Sequence, residues 1–241
     1  MQQNPYAAPS VDPTAFRQNQ AANGPRDWTI GEVIGVGWQA TKRNPLPLIG
    51  GFALIIIINQ GIQSVMQSAL GLGGDPTDPM AAITGTLAFM PIAIVLGIYF
   101  TIGQFRVALA AARGEEIQFA RFFSGFDRLL PGIIVSIIMY IGIAVGLMFL
   151  IIPGIIISLA WSMVLPLLSD SKAGITEMLS ESWNSTKGQR GKIFLFYFAC
   201  AGVALLGLLA LGVGILVAIP VIMIAMAEVY MCVTGRRTGD A

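Results

Sequence analysis

Hydrophobic positions along the chain form six long runs, which short polar segments separate. The runs cover about 46–70, 81–103, 131–150, 154–169, 193–211 and 215–233. Most of them approach the ~20 apolar residues that a helix needs to cross a bilayer. The connections from the third run to the fourth and from the fifth to the sixth are very short. The pattern therefore predicts an all-α membrane protein whose six transmembrane helices form three hairpins.

The polar segment before each hairpin has a helical periodicity of its own. Apolar positions recur at helical spacing at Ile30, Val33, Ile34, Gly37 and Trp38 in the first segment, at Phe119, Phe122, Phe123, Phe126 and Leu130 in the second, and at Ile175, Met178, Leu179 and Trp183 in the third. In the first segment, Thr29 and Glu32 have the spacing of a capping box. One apolar and one charged face are typical of a helix in the membrane interface. We expect a cytoplasmic interfacial amphipathic helix before each hairpin.

Composition divides the chain into three parts. Residues 1–26 are rich in Pro, Gln, Asn and Ala and lack apolar periodicity, which predicts a disordered cytoplasmic tail. The NPYAAP stretch in this tail is either a docking motif or ordinary solvated chain. Residues 27–235 form the six-helix transmembrane domain, and residues 236–241 form a short cytoplasmic tail.

Positive charge is confined to alternate polar segments. The fourteen Lys and Arg residues are Arg17, Arg26, Lys42 and Arg43; Arg106, Arg113, Arg121 and Arg128; Lys172, Lys187, Arg190 and Lys192; and Arg236 and Arg237. The intervening segments hold only Asp75 and Asp78. Cytoplasmic loops carry the excess of Lys and Arg in membrane proteins. This distribution predicts a multi-pass membrane protein with both termini in the cytoplasm.

Composition also limits the chemistry. The chain is 55% hydrophobic and only 11% charged, against about 25% charged residues in soluble domains. It has no histidine, the commonest general base and metal ligand. No nucleophile and base pair is visible, and no basic stripe lies on a soluble fold that would bind nucleic acid. We therefore expect no enzyme activity, no cofactor, no metal and no nucleic-acid partner.

Two of the polar segments share a local pattern that indicates an internal repeat. WQATKRNP begins at Trp38 and WNSTKGQR begins at Trp183, and both place Trp, an amide, Thr and Lys at the same offsets before a span. FDRLLP, from Phe126, is a degenerate middle copy. Such duplication occurs in transporters but also in other membrane proteins. The repeat therefore does not show whether this chain is a transporter or another kind of membrane protein.

Three further stretches carry a family resemblance. They are G-x-x-x-x-A-L followed by A-R-G-E in 103–115, W-S-x-x-L-P-L in 161–167 and S-W-x-x-x-K-G in 182–188. Over about 30–235 the chain resembles a bacterial inner-membrane family of poorly defined function that includes the YciC-like proteins. It is also similar to the membrane domain of some glycerophosphoryl diester phosphodiesterases. The resemblance implies a six-helix module connected with envelope maintenance or lipid, and it supplies no catalytic residues.

Polar side chains within the spans are candidates for an intramembrane site. Glu228 is the carboxylate inside the sixth span, where it serves either as a proton or cation site or as a structural partner of a cation such as Arg236. The first span carries a polar row of Asn59, Gln60, Gln63 and Gln67. This row either lines a water-filled vestibule or makes hydrogen bonds between helices.

Other spans contain positions that favour close packing. Gly142 and Gly146 form a GxxxG pair that permits close contact between helices, and Trp161 and Pro166 are interpreted as packing and kink positions.

Aromatic and cationic residues of the polar segments are candidate contacts to lipid headgroups. They are Trp38, Lys42, Arg43, Arg128, Trp183, Lys187 and Arg190. They bind a specific anionic headgroup or simply anchor the chain as part of the aromatic and cationic belt.

We expect a non-enzymatic accessory, scaffold or lipid-interacting module in envelope organisation. The alternative is a small transporter or channel with a polar path near the first span and Glu228. Expected partners are membrane lipids with anionic headgroups on the cytoplasmic face, together with either another membrane protein complex or a further copy of the chain.

Overall fold

The computed structural model describes residues 25–69, 79–210 and 212–236, and these residues form helices without any strand. The α-helices are α1 (Ile30–Arg43), α2 (Gly51–Ala69), α3 (Pro79–Arg113), α4 (Leu129–Phe149), α5 (Ile151–Ala160), α6 (Val164–Asp170), α7 (Ile175–Ser185), α8 (Arg190–Leu209) and α9 (Val213–Thr234). A π-helix at Leu46–Gly50 precedes α2, and two short 3-10 helices at Phe119–Phe123 and Gly125–Arg128 precede α4. Of the predicted tails, 1–26 and 236–241, residues 1–24 and 237–241 lie outside the described residues.

Six helical stretches in this part of the chain are long and apolar enough to cross a membrane. They are Leu46–Met66, Leu87–Arg113, Phe119–Phe149, Ile151–Asp170, Arg190–Leu209 and Gly214–Thr234. The prediction of an all-α, multi-pass membrane protein is thereby confirmed. The helix of the second predicted span, 81–103, is longer than expected, because α3 continues without a break to Arg113.

The fourth predicted span, 154–169, is interrupted within its length. The structure ends α5 at Ala160 and begins α6 at Val164. Pro166 has no backbone N–H to bond the carbonyl of Ser162, and its ring crowds that carbonyl. The interruption at 161–163 follows from this, in agreement with the interpretation of Pro166 as a kink position.

Helix α1 begins as its sequence predicts, but its apolar face contacts protein. Glu32 N donates to Thr29 Oγ1 at 3.3 Å, and Thr29 N donates to a Glu32 carboxylate oxygen at 2.8 Å, which completes the capping box. The buried residues of α1 are Val33, Gly37 and Thr41, and their spacing places them on one side of the helix. This side packs along α9 instead of lying free on a membrane surface.

The second predicted amphipathic helix is replaced by the two short 3-10 helices. Tyr99 and Arg106 of α3 explain the difference, because they take carbonyl groups that a continuous helix would use internally. Tyr99 Oη donates to the Phe123 carbonyl at 2.6 Å, and Arg106 donates to the Ser124 carbonyl. Gly103 allows this backbone to approach, since a Cβ at that position would overlap the Phe122 carbonyl.

Each of the three predicted interfacial segments packs on the second helix of one of the predicted hairpins. The 3-10 segment lies on α3, and α7 lies across the break between α5 and α6. Helix α1 lies on α9, the last helix among the described residues, and Arg26 N donates to the Cys232 carbonyl at 2.8 Å. The three segments thus pack on three different parts of the bundle.

The buried core lies toward the end of the bundle that holds 26–43, 106–128, 170–192 and 234–236, which we call the cationic end. Buried side chains gather there in the second half of α3, in α6 and in the second half of α9, as Leu109, Leu167 and Tyr230 illustrate. At the opposite end, Met148 and Leu209 are largely exposed. The charged segments are thus supported by the best-packed part of the protein.

Candidate functional site

Ion pairs and hydrogen bonds join the charged segments of the cationic end to one another. Lys192 at the start of α8 bonds both the Asp27 carboxylate and the Trp28 carbonyl before α1. The hydrogen bond from Lys192 lowers the pKa of the Asp27 carboxyl below its ordinary value. Beyond the end of α9, Arg236 Nε lies 2.8 Å from a carboxylate oxygen of Glu181 in α7. Segments far apart in sequence thus meet at one end of the bundle.

Asp170 is the most deeply buried charged residue of this network. Its side chain is 3% exposed, and one carboxylate oxygen lies 2.6 Å from a guanidinium nitrogen of Arg113. The other carboxylate oxygen accepts a hydrogen bond of 3.0 Å from Tyr230 Oη. A single carboxylate therefore ties the ends of α3 and α6 to α9.

Arg106 and Arg121 make two further ion pairs close to Asp170. Arg106 binds both carboxylate oxygens of Asp127, at 2.9 and 2.7 Å, in the fork geometry that favours bidentate pairing. Arg121 lies 2.9 Å from a carboxylate oxygen of Glu115. These pairs hold the 3-10 segment against the end of α3 and fix the directions of both guanidinium groups.

The paired side chains surround an open cavity of about 460 Å³, which we call the arginine cavity. The described residues that line it are Arg106, Leu109, Arg113, Glu115, Arg121, Asp127, Arg128, Ser169, Asp170, Ser171 and Lys172. Three of the five cations pair with the three carboxylates. Arg128 and Lys172 are the two additional cations, so the lining carries an excess of positive charge.

Only some of the hydrogen-bond donors of Arg128 have partners among the described residues. One terminal nitrogen donates to the Ala173 carbonyl at 3.0 Å. Its Nε is buried and has no hydrogen-bond partner among the residues that the structure describes. A buried donor without a partner is unusual in a folded protein.

Among the candidate headgroup contacts predicted from the sequence, Arg128 is the one that lines the arginine cavity. The Lys42 ammonium lies 5.5 Å from the ring centroid of Trp38, and the Arg190 guanidinium lies 4.4 Å from that of Trp183. These cation and aromatic pairs lie on helices α1, α7 and α8. Arg43 and Lys187 are exposed. The structure thus separates the aromatic pairs from the cavity.

Glu228 is 1% exposed and lies inside α9. Cys232 Sγ donates to one of its carboxylate oxygens at 3.7 Å. Val221, Ala225, Glu228 and Cys232 share one side of α9 by helical spacing. Gly37 and Arg26 contact this same side, so Glu228 lies beneath α1. The nearby cation Arg236 forms an ion pair with Glu181.

The polar row of α2 is bonded within its own helix. Gln63 Nε2 donates to Asn59 Oδ1 at 2.9 Å, which is an i, i+4 contact. Both residues are half-buried, whereas Gln60 is exposed. The side chain of Gln67 lies outside the described part of the chain. The observed bond lies within α2 and joins no second helix.

Sequence reasoning missed most of the arginine cavity. Arg106 and Arg113 are seven residues apart on one side of α3, which is a recognisable signal for a shared site. Asp170 is adjacent to the predicted fourth span, and a carboxylate at that depth calls for a cationic partner. Which cation it meets depends on how the helices pack.

The cavity has the chemistry of a binding site. Its guanidinium and ammonium groups are donors suited to oxyanions. In the described part of the chain, no group of three His, Cys, Asp or Glu side chains is arranged to hold a metal ion. No family model, curated protein or solved structure matches the chain.

Proposed function

We propose that this chain is a non-enzymatic protein of the bacterial inner membrane that serves as an accessory, scaffold or lipid-interacting module in envelope organisation. The observation that carries the proposal is the joined set of charged segments at the cationic end. The ion pairs Lys192–Asp27, Arg113–Asp170 and Arg236–Glu181 link segments that are far apart in the sequence. A rigid cationic face of this kind suits contact with an anionic membrane surface.

Exposed apolar side chains beside these cations support a lipid-facing role. Phe126 is 79% exposed, and Phe119 and Phe123 on the same segment are also exposed. Aromatic side chains at the ends of membrane helices settle at the level of the lipid headgroups, and nearby cations attract anionic lipids. With the cationic end in the cytoplasm, both termini would lie on that side of the membrane.

Matching features of α1 and α7 support the proposed internal repeat. Glu32 and Glu177 occupy the same position in the first turn, and each accepts a hydrogen bond from the backbone N–H three residues earlier. Thr41 and Thr186 are both buried, and each donates to the carbonyl four residues earlier. Membership of the family that resembles YciC-like proteins remains part of the same proposal.

Native mass spectrometry of the protein, released from nanodiscs of phosphatidylglycerol and phosphatidylcholine in equal amounts, tests the lipid-interacting role. We expect several phosphatidylglycerol molecules to stay bound for each phosphatidylcholine molecule. Equal retention of the two lipids would contradict the proposal. Identification of proteins that co-purify in mild detergent then separates an accessory of a larger complex from a protein that assembles only with itself.

A small transporter or channel is the second candidate, and the burial of Glu228 favours it. An acidic side chain inside a membrane-spanning helix is costly and marks ion or proton pathways in many membrane proteins. In liposomes that hold the purified protein, a pH-sensitive dye inside the vesicles would report proton movement. Transport that is lost in Glu228→Gln would favour this candidate, whereas identical traces with and without the protein would exclude proton transport.

A further inference from the structure

We propose that the arginine cavity binds the phosphate group of an anionic lipid headgroup. This inference rests on the proposed lipid-interacting function and names the site and the chemical class of its ligand. The candidate contacts predicted from the sequence lie mainly at Trp38 and Trp183, whereas the cavity is a separate place at the cationic end.

The charge balance of the cavity favours a singly charged phosphodiester. Glu115, Asp127 and Asp170 neutralise three of the five lining cations, and Arg128 and Lys172 supply the excess. A phosphodiester carries one negative charge and presents oxygen acceptors that match guanidinium and ammonium donors. Binding of one such group would leave the lining weakly positive rather than strongly charged.

The site is also preorganised for an oxyanion. Asp127 holds both terminal nitrogens of Arg106, and Asp170 holds Arg113 at 2.6 Å. Side chains that are already ordered lose little conformational entropy when a ligand arrives. The buried Nε of Arg128 is a further donor close to the cavity.

The surroundings of the cavity favour a lipid over a free phosphate ion. Phe126 and Leu130 flank Asp127 and Arg128 along the chain, and both apolar side chains are strongly exposed. In a membrane these side chains would lie beside acyl chains while the neighbouring cations face the headgroups. At about 460 Å³ the open cavity is in the range of small-molecule sites and suits a headgroup.

The decisive experiment compares charge-neutral variants in nanodiscs of phosphatidylglycerol and phosphatidylcholine, read by native mass spectrometry. Arg128→Gln/Lys172→Gln removes the two additional cations. Loss of one charge-assisted hydrogen bond predicts about a tenfold fall in phosphatidylglycerol retention. The matched pair Arg17→Gln/Arg237→Gln removes the same charge from the two predicted tails, and its effect should be less than about twofold. Equal losses in the two double variants would overturn the cavity as the site.

Single variants keep the test valid if the double variant folds poorly. Lys172 is exposed, so Lys172→Gln should preserve the fold and lower retention, and Lys172→Arg should restore it. Glu115→Gln frees Arg121 from its exposed ion pair and should raise retention above that of the unchanged protein. A fall in retention in Glu115→Gln would contradict the role assigned to excess positive charge.

Two further comparisons are informative. One distinguishes a lipid from free phosphate as the ligand, and the other distinguishes failure of the cavity proposal from failure of the proposed lipid-interacting function. Inorganic phosphate at millimolar concentration should leave retained phosphatidylglycerol unchanged, whereas full displacement would assign the cavity to soluble phosphate and overturn the lipid proposal. Retention of phosphatidylglycerol that no cavity variant alters would overturn the cavity alone. Failure of the unchanged protein to prefer phosphatidylglycerol would contradict the proposed lipid-interacting function itself.

Discussion

Gly37 of α1 lies directly against the backbone of Val221 in α9. A Cβ at position 37 would overlap the Val221 carbonyl oxygen and lie 3.3 Å from the backbone nitrogen of Ala225. About 16 Å of helix rise separates Val221 from Cys232, where Arg26 bonds the same helix. The contacts of the first helix and of the segment before it therefore extend along α9 over about 16 Å.

Gly37→Leu should separate α1 from α9. The added side chain has no space, and overpacking of this kind costs about 1–3 kcal/mol of the free energy of unfolding. Unfolding in mixed micelles with a denaturing detergent measures the loss. Gly35→Ala is the matched control, because nothing lies within 4 Å of its Cβ and alanine favours a helix by up to about 1 kcal/mol. Similar stability of the two variants would contradict close packing of α1 on α9.

Asp170→Asn should strongly destabilise the cationic end. The change removes the Asp170 side of its ion pair with Arg113, in which the carboxylate is 3% exposed, and breaking a buried ion pair costs about 3–5 kcal/mol. Tyr230→Phe removes only one hydrogen bond to Asp170 and should cost about 1 kcal/mol. The same unfolding assay ranks the two variants, and a larger loss in Tyr230→Phe would show that Asp170 is not the centre of the network.

Ser182→Ala should weaken the contact of α7 with the interruption between α5 and α6. Ser182 Oγ donates to the Ala160 carbonyl at 2.8 Å, and this carbonyl is at the end of α5 where helical bonding stops. The Ala160 carbonyl keeps a bond of 3.2 Å from Thr186 Oγ1, but the buried Met163 N–H loses Ser182 Oγ as its acceptor. We therefore expect a loss of about 1–3 kcal/mol in unfolding free energy. Ser180→Ala, at an exposed position of the same helix, should change stability by less than about 0.5 kcal/mol.

Cysteine labelling in intact bacteria tests the predicted orientation. Lys187→Cys lies at the cationic end and Leu150→Cys lies at the exposed connection between α4 and α5. A thiol reagent that cannot cross the inner membrane should label Leu150→Cys and reach Lys187→Cys only after the membrane is permeabilised. The native Cys200 and Cys232 are buried, which keeps the background low. The reverse labelling pattern would place the cationic end outside.

Features that depend on local sequence were predictable. The capping box of Thr29 and Glu32 joins neighbours in the chain, and runs of apolar residues mark the long helices without reference to packing. Gly146 also behaves as its GxxxG pattern indicates, because a Cβ there would lie 3.0 Å from the Cα of Gly154 in α5. In each case the determinant lies within a few residues of its effect.

Features that depend on tertiary contacts were not predictable from periodicity. The Phe119 to Leu130 spacing indicates an amphipathic helix, yet Tyr99 and Arg106 draw the backbone into two 3-10 helices instead. The arginine cavity was missed for a similar reason, since residues from α3, the 3-10 segment and the end of α6 form it together. The sequence of any one segment does not show that its residues contact those of the other segments.

The contact of α1 with α9 has a consequence for biosynthesis. Arg26 and Gly37 are synthesised before all the spans that separate them from Cys232 and Val221. The partner surface of α1 therefore does not exist until those intervening spans have been made. Contacts between residues so distant in sequence form slowly. Helix α1 must therefore wait for α9 before it can dock.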